Sequence, residues 1–377
     1  MTDWLDWPFF EPAHSELERR LQHWCGERNF DHDRNVDEEC RSLVRELGGA
    51  GLLELCTGGD VRCLAVARAT LAFHSGLADF AFAMQGLGSG AIRLFGSGEQ
   101  RSEWLPKVAS GEAIAAFALT EPDTGSDAAN IAMTARPKGD AWVLDGEKSY
   151  ISNGTIADML TVFARTGERE GAKGISAFIV RGDEPGLAVA ERIEVIAPHP
   201  LARLRFEGVR AELIGQPGQG FRIAMATLNL FRVTVGAAAL GFARRALDEA
   251  IAFASARRLG DGALSDHAVT QARLADMATA IDASALLIAR AAWQQDSQSG
   301  DNRRAAAMAK LHATEEAQKV IDAAVQMHGG MGVTRGAKVE ELYREIRALR
   351  IYEGASEVQR QVIARDLLKA ATKETRA

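Results

Sequence analysis

Leu201-Ala-Arg-Leu-Arg-Phe-Glu207 is followed shortly by Gly215-Gln-Pro-Gly-Gln-Gly220, and the chain changes its period there. In the first stretch Leu204 and Phe206 alternate with Arg203, Arg205 and Glu207, as in a strand with one buried and one wet face. Past the glycine-rich turn, Leu240, Ala243, Leu247, Ile251 and Ala254 recur at helical spacing and form one apolar stripe. Back toward the N-terminus, from Ala113 to Val209, short β-rich runs such as Trp142-Val-Leu, Leu160-Thr-Val-Phe and Phe178-Ile-Val stand between turn signals. Asp145-Gly146 is the strongest hairpin turn among them. From Glu16 to about Lys107 the spacing is helical again: Leu43 and Leu47, Leu52 to Leu55, then Leu64, Ala67 and Leu71. The fold class is therefore α+β in the order helical block, β-block, helical block. Strands do not alternate with helices, which excludes a doubly wound parallel sheet. The later helices are rich in Ala and poor in aromatics, which favours close bundle packing.

A chain of 377 residues is long enough for two or three domains and a large core. With 47% apolar and 25% charged residues it is a globular sequence, not a disordered or low-complexity one. Forty-four basic against 51 acidic residues give a formal charge of −7, so neither nucleic acid nor an anionic membrane is expected as partner. Cys25, Cys40, Cys56 and Cys63 show no C-x-x-C pair and no histidine at metal-ligand spacing; they read as buried thiols, and no metal is expected. The start Met1-Thr-Asp-Trp-Leu-Asp-Trp lacks the features of a signal peptide, and the run Val233 to Ala243 is too short to span a bilayer. A cytoplasmic location is expected.

Four segments can carry chemistry. Ala118-Leu-Thr-Glu-Pro-Asp-Thr-Gly-Ser-Asp127 offers the hydroxyls of Thr120, Thr124 and Ser126 and free amides near Gly125, suited to a polar heterocycle or a phosphate; on local composition alone it reads first as an Asp-Thr-Gly turn before a strand. In Tyr150-Ile-Ser-Asn-Gly154 an aromatic and a hydroxyl two apart share a strand face and can meet one ring system, or simply pack. Gln326-Met-His-Gly-Gly-Met-Gly332 lets a ligand phosphate approach, or caps a helix, with His328 a structural histidine. In Ile351-Tyr-Glu-Gly-Ala-Ser-Glu-Val-Gln359, Glu353 stands between an apolar-aromatic approach and a helix start, although an isolated Glu is ordinarily a solvated surface residue.

In this order and spacing the four segments resemble the acyl-CoA dehydrogenase family. The resemblance runs over nearly the whole chain, through Phe95-Gly-Ser-Gly-Glu-Gln100, Leu105-Pro, Gly111-Glu and Arg257 to Met277. It implies an N-terminal α-helical domain (1–112), a central β-barrel-like domain (113–215) and a C-terminal four-helix bundle (216–377), with FAD as cofactor. Glu353 matches the catalytic base for the α-proton of an acyl thioester. Leu119, Thr120 and Gly125 match flavin contacts, and Ser126 a contact to both cofactor and thioester. Tyr150 stands for the usual Trp beside the flavin, and Ser152 for the Thr near its N5. Arg232 matches a substrate-side Arg whose companion Asp is here Asn229, while Tyr352 and Gly354 flank the base on the substrate side. Gln326, Gly329 and Gly330 match the cradle for the FAD of a neighbouring subunit, and Ala355 stands where Thr is usual. Arg257 is kept, but Gly260, Asp261 and Ala268 replace Phe, Gly and Gln, which implies weaker FAD binding. Ala197-Pro-His-Pro200 also departs from a common Gly-x-Arg segment.

A carbon acid next to a thioester is far too weak for a lone carboxylate with a pKa of about 4.3, so burial must raise that of Glu353 and donors must stabilise the enolate. The implied activity is α,β-dehydrogenation of an acyl-CoA to the trans-2-enoyl thioester. An electron-transfer flavoprotein is the implied acceptor, and a homodimer or homotetramer the implied assembly. The alternatives are a dehydrogenase acting on a carrier-protein-bound acyl group in secondary metabolism, and a flavin-binding stress protein without dehydrogenase activity. A nitroalkane oxidase would carry Asp at the base position. Arg203, Arg205, Arg244 and Arg245 are candidates for a basic rim at the mouth of the site.

Overall fold

The computed structural model describes residues 4–30, 35–139, 141–298 and 301–374. The first three residues of the start read above for a signal peptide lie outside this set. The chain forms two compact units, one made of residues up to Asn29, Asp60–Asp79 and the chain from Arg232 on, the other of Phe30–Gly59 and Phe80–Phe231.

In chain order the helices are α1 (Pro12–Gly26), α2 (Val36–Gly49), α3 (Glu54–Gly58), α4 (Val61–His74), α5 (Gly76–Phe95) and α6 (Gly98–Ser110). Seven strands follow: β1 (Ala115–Ala118), β2 (Thr134–Lys138), β3 (Ala141–Ser152), β4 (Met159–Arg165), β5 (Ile175–Arg181), β6 (Leu187–Arg192) and β7 (Leu201–Ile214). After α7 (Gly220–Ala256) come a short hairpin of β8 (Arg258–Leu259) and β9 (Gly262–Ala263), then α8 (Ala268–Asp296), α9 (Arg303–His328), α10 (Lys338–Leu349) and α11 (Ser356–Glu374).

In the β-unit, β4 pairs with β2, β2 with β3, β3 with β7, β7 with β5, and β5 again with β4, so the sheet closes on itself; β1 adds to β4 and β6 to β7. Closure leaves β2, β3, β4, β5 and β7 each with a partner on both sides, so these strands present no open edge that needs cover. Side chains alternate as the pleat demands: Ala202, Leu204 and Phe206 enter a core with Leu144, Leu160, Val162 and Phe178, while Arg205 and Glu207 face out. A second core lies between the sheet and its helices, where Ile92, Trp104, Val108, Phe163, Ile179 and Ile223 pack. Helix α6 begins on a capping box, with the Ser97 hydroxyl accepting from Gln100 N and the Gln100 side chain accepting from Ser97 N, and ends on left-handed Gly111.

One strong turn signal is not a turn. Asp145-Gly146 sits inside β3, where the register with β7 shifts at a bulge and Gly146 takes φ +142°. The permissive backbone of glycine serves the bulge instead of a hairpin. A Cβ at position 146 would press on Met133, and Asp145 Oδ1 accepts from Gly208 N at 2.8 Å across the ladder.

The helical unit is a bundle in which α9 packs against α8, α10 and α11, and α4 against α1 and α8. Its interior is alanine, as at Ala285, Ala289, Ala313 and Ala317, so the helix backbones come close. At Gly241 of α7 a Cβ would lie 2.2 Å from the Ala69 carbonyl oxygen of α4, so that crossing needs glycine. Helix α7 is long and apolar enough to cross a membrane by length and composition, but 72% of its most apolar window is buried inside the protein. It is a core helix.

Candidate active site

In the β-unit the chain leaves β1 through Leu119 and Thr120 and turns tightly at Glu121-Pro-Asp-Thr124, where Glu121 N donates to Thr124 O at 3.0 Å and Thr124 N to Glu121 O at 3.2 Å. Beneath this turn lies Lys148, which is 0% exposed. Its ammonium donates to Leu119 O at 3.0 Å and to Glu121 Oε1 at 2.8 Å, and the Glu121 carboxylate also accepts from Ala132 N and Met133 N. Burial pushes the lysine down to about 8 against the pull of Glu121. Such a pair gives little net stability after desolvation, but it fixes geometry. Here it fixes the Leu119-Thr120 backbone, which Ser149 N also grips by donating to Thr120 O at 2.9 Å.

Two residues, Ser149 and Tyr150, oppose the single Arg203 between the paired positions Lys148–Leu204 and Ile151–Ala202. At this bulge Tyr150 takes φ +55°, uncommon for a residue with a side chain, and its ring is 62% exposed. Regular alternation therefore does not place Tyr150, yet it and Ser152 share the accessible side. Asn153, also left-handed at φ +60°, ties off the strand by donating to Ala115 O at 3.0 Å. Among the described residues nothing accepts from the hydroxyls of Thr120, Ser126 and Ser152 or from the amides of Gly125 and Ser126. A Cβ at Gly125 would meet nothing within 4 Å. An exposed ring, uncommitted donors and open space suit a flat heterocycle with polar edges, so these residues fit FAD.

In the helical unit Glu353 lies in the tight connection between α10 and α11. It has φ +52°, and Gly354 after it has φ +89°. A non-glycine residue costs of order 1–2 kcal/mol in this region and persists only where its surroundings over-determine it. They do so here: Lys310 of α9 donates to Tyr352 O at 2.7 Å and to Gly354 O at 2.6 Å, bracketing Glu353. The Gln359 amide adds a bond to Gly354 O at 2.7 Å, and a Cβ at position 354 would sit 2.5 Å from that same nitrogen. Glu315, also on α9, receives Arg350 in two bonds and the Ser356 hydroxyl, closing both ends of the connection.

The Glu353 Oε2 atom is shut off from solvent and has no hydrogen-bond partner among the described residues. Burial raises its pKa, while Arg68, Lys310 and Arg232 oppose the rise and Asp79 adds to it. Arg68 of α4 is buried in a two-bond pair with Asp79 at the start of α5, at 2.8 and 2.7 Å, and also donates to Thr234 of α7 at 3.2 Å. Burial lifts the Tyr352 phenol well above its ordinary value, despite the neighbouring Arg68. The structure thus brings Tyr352, Glu353 and Arg232 together with Lys310, Arg68 and Asp79. Sequence reading missed the last three. Their signal was a lone charge in an apolar helical run, as in Leu64-Ala-Val-Ala-Arg68-Ala and Ala305-Ala-Ala-Met-Ala-Lys310.

Asn229 stands one turn before Arg232 on α7. Ala355 is half-buried just before α11. Gln326, Gly329 and Gly330 are exposed at the end of α9, where Gly329 with φ +59° stops the helix. His328 stacks on Phe253 and bonds Ala324 O, a structural role. Arg257 is exposed at the end of α7, and its carbonyl accepts from Leu264 N at 2.7 Å, which closes the β8–β9 hairpin. The basic-rim expectation needs correction. Arg244 is buried over the Trp4 ring, and Arg203, Arg205 and Arg245 are paired with Glu147, Glu207 and Glu249. All four cysteines are free, Cys63 half-buried and the others buried. Distant in sequence, His14 comes together with Asp60 and Cys63, their ligating atoms within 4.8 Å; Asp60 is engaged as the N-cap of α4 through Cys63 N.

Family models describing the N-terminal, middle and C-terminal domains of acyl-CoA dehydrogenases match residues 11–112, 116–209 and 218–368. A relative from Bos taurus named short-chain specific acyl-CoA dehydrogenase, mitochondrial, is 38% identical, with 95% of this chain and 90% of the relative aligned. A 3-(aryl)acrylate reductase from Clostridium sporogenes is 36% identical over 87% of this chain and 86% of that protein. The crystal structure of a glutaryl-CoA dehydrogenase from Mycobacterium smegmatis, in complex with FADH2, superposes with a TM-score of 0.87 at 28% identity, covering 95% of each chain. With its N-terminal helical, middle and C-terminal helical domains, the chain belongs to the acyl-CoA dehydrogenase family of FAD-dependent oxidoreductases.

Proposed function

We propose that the protein removes the α-proton and β-hydride of a short acyl-CoA to give the trans-2-enoyl-CoA, with Glu353 as the base. The observation that carries this reading is the Glu353 carboxylate oxygen, closed off from solvent and without a hydrogen-bond partner among the described residues. A carboxylate oxygen kept dry and unsatisfied is a stronger base than one in water, and burial raises the pKa of Glu353 above its ordinary value, the direction in which a general base gains strength. Left-handed backbone at Glu353 and Gly354 also leaves their amides without acceptors among the described residues, so they can donate to the thioester oxygen as charge develops there. Bound FAD supplies the hydride acceptor. Thr120, Ser126, Tyr150 and Ser152 are the residues we assign to hold it, with Leu119 and Gly125 giving backbone contacts.

The name of the Bos taurus relative supports a short acyl chain. The pairing of Arg203, Arg205 and Arg245 and the burial of Arg244 support CoA over a carrier protein, because an acidic carrier would need a basic rim. We further infer an electron-transfer flavoprotein as acceptor, a homo-oligomer, a cytoplasmic location consistent with free thiols, and domain limits at 1–112, 113–215 and 216–377. The relative named as a reductase favours a second reading, in which the same carboxyl protonates an enoyl thioester. Anaerobic mixing separates the two. A saturated short acyl-CoA should bleach the oxidised flavin, and Glu353→Gln should leave it yellow. Full bleaching by Glu353→Gln removes Glu353 as the base. Reoxidation of reduced enzyme by an enoyl-CoA, without bleaching by the saturated one, favours the reductase.

A further inference from the structure

We propose that Lys310 is the positioning residue for Glu353: its buried ammonium holds the carbonyls on either side of the base and keeps it in the left-handed conformation. This rests on the assignment of Glu353 as the base. Lys310 is 1% exposed, and its ammonium donates to Tyr352 O and Gly354 O, 42 and 44 residues away in sequence. A lysine buried in the Ala-rich interior of a bundle pays a large desolvation cost. Two backbone carbonyls are a poor return unless the position of what lies between them matters. What lies between them is one residue, Glu353, at φ +52°. The same helix presents Glu315 to Arg350 and Ser356, so α9 is the platform on which the 350–356 connection is set.

The charge of Lys310 acts on Glu353 as well as its geometry does. The groups facing Glu353 are Arg68 of α4, Asp79 of α5, Arg232 of α7 and Lys310 of α9, and those facing Lys310 are Glu353, Arg232 and Glu315. Lys310 lowers the pKa of Glu353 against the rise from burial, so removing it shifts the acid limb of activity to higher pH. Burial lowers the pKa of Lys310 while Glu353 and Glu315 oppose the fall, and in its ammonium form the clamp is charge-assisted.

The test is Lys310→Met beside Lys310→Arg, each loaded with FAD. In Lys310→Met the rate constant for flavin bleaching should fall about tenfold to a hundredfold, as a misplaced catalytic group does, with the half-saturating thioester concentration changed by less than about threefold. Its acid limb should lie higher than in the wild type, and Lys310→Arg should restore most of the rate. Two readouts need no turnover: the φ of Glu353 in a crystal structure of Lys310→Met, and the pH titration of the Glu353 carboxyl by infrared difference against Lys310→Met/Glu353→Gln. A Glu353 that leaves the left-handed region and titrates higher supports the proposal even if no thioester bleaches the wild type, the result that would defeat the base assignment. A variant with Glu353 still left-handed, an unchanged titration and a wild-type bleaching rate overturns it. If Lys310→Met does not fold, Lys310→Gln, which keeps donors without charge, goes through the same measurements.

Discussion

Two buried lysines, Lys148 and Lys310, do similar work in different units: each spends its ammonium on backbone carbonyls next to a residue assigned a chemical role. For Lys148 the consequence can be read in stability. Its pKa falls from 10.5 to about 8 on folding, chiefly through burial. Between those values the unfolded chain binds more protons than the native one, so stability must rise with pH across that window. The rise is at most of order 3 kcal/mol for a shift of this size, and Glu121 reduces what is realised. Lys148→Met should flatten the curve of unfolding free energy against pH between about 8 and 10.5, measured by denaturant titration, and should also loosen FAD by freeing the Leu119-Thr120 backbone. An unchanged slope in that window would show that Lys148 is not the titrating group. Sequence gave no hint of this residue's burial, because a Lys on a half-buried strand ordinarily reaches solvent and only the closed sheet covers this one.

At the scale of elements, local signals were legible wherever the chain satisfies itself locally. The alternation of β7 and the glycine stop at Gly329 could both be read from neighbouring residues, because what decides them lies within a turn or two. Asp145-Gly146 misled because one backbone freedom serves both a hairpin and a bulge, and the partner that decides, β7, lies some sixty residues on. Likewise Glu353 could be found by resemblance, but its clamp could not, since Lys310 meets it only through packing of α9. The β8–β9 hairpin shows what an element changes in a test. Gly260, where the resemblance implies Phe, sits at φ +62°, so inserting Phe there would strain the turn and confuse any effect on FAD. Ala268 opens α8 in an exposed position and is the cleaner site. Ala268→Gln should tighten FAD binding by about 1 kcal/mol, roughly fivefold in the dissociation constant, read by flavin fluorescence during dilution. No change would mean that this position does not touch the cofactor.

For the molecule as a whole, the choice between CoA and a carrier protein is one of long-range charge. The chain carries −7 and a carrier protein is also acidic, so their encounter is repulsive unless a local basic surface overrides it. The candidate arginines for one are buried or already paired with carboxylates. CoA needs far less: a few donors for its phosphates at the mouth, reached by a small ligand that diffuses past the net field. We therefore expect kcat/KM for a short acyl-CoA to exceed that for the same acyl group on a carrier protein by at least about tenfold, a margin of about 1.4 kcal/mol in transition-state binding. Raising the ionic strength should narrow the gap, because screening relieves the repulsion between the two proteins more than it weakens the binding of CoA. The discriminating measurement is flavin bleaching with both thioesters at low and high salt. Faster reaction with the carrier-bound acyl group, slowed by salt, would instead reveal an attractive docking surface and make the carrier protein the substrate.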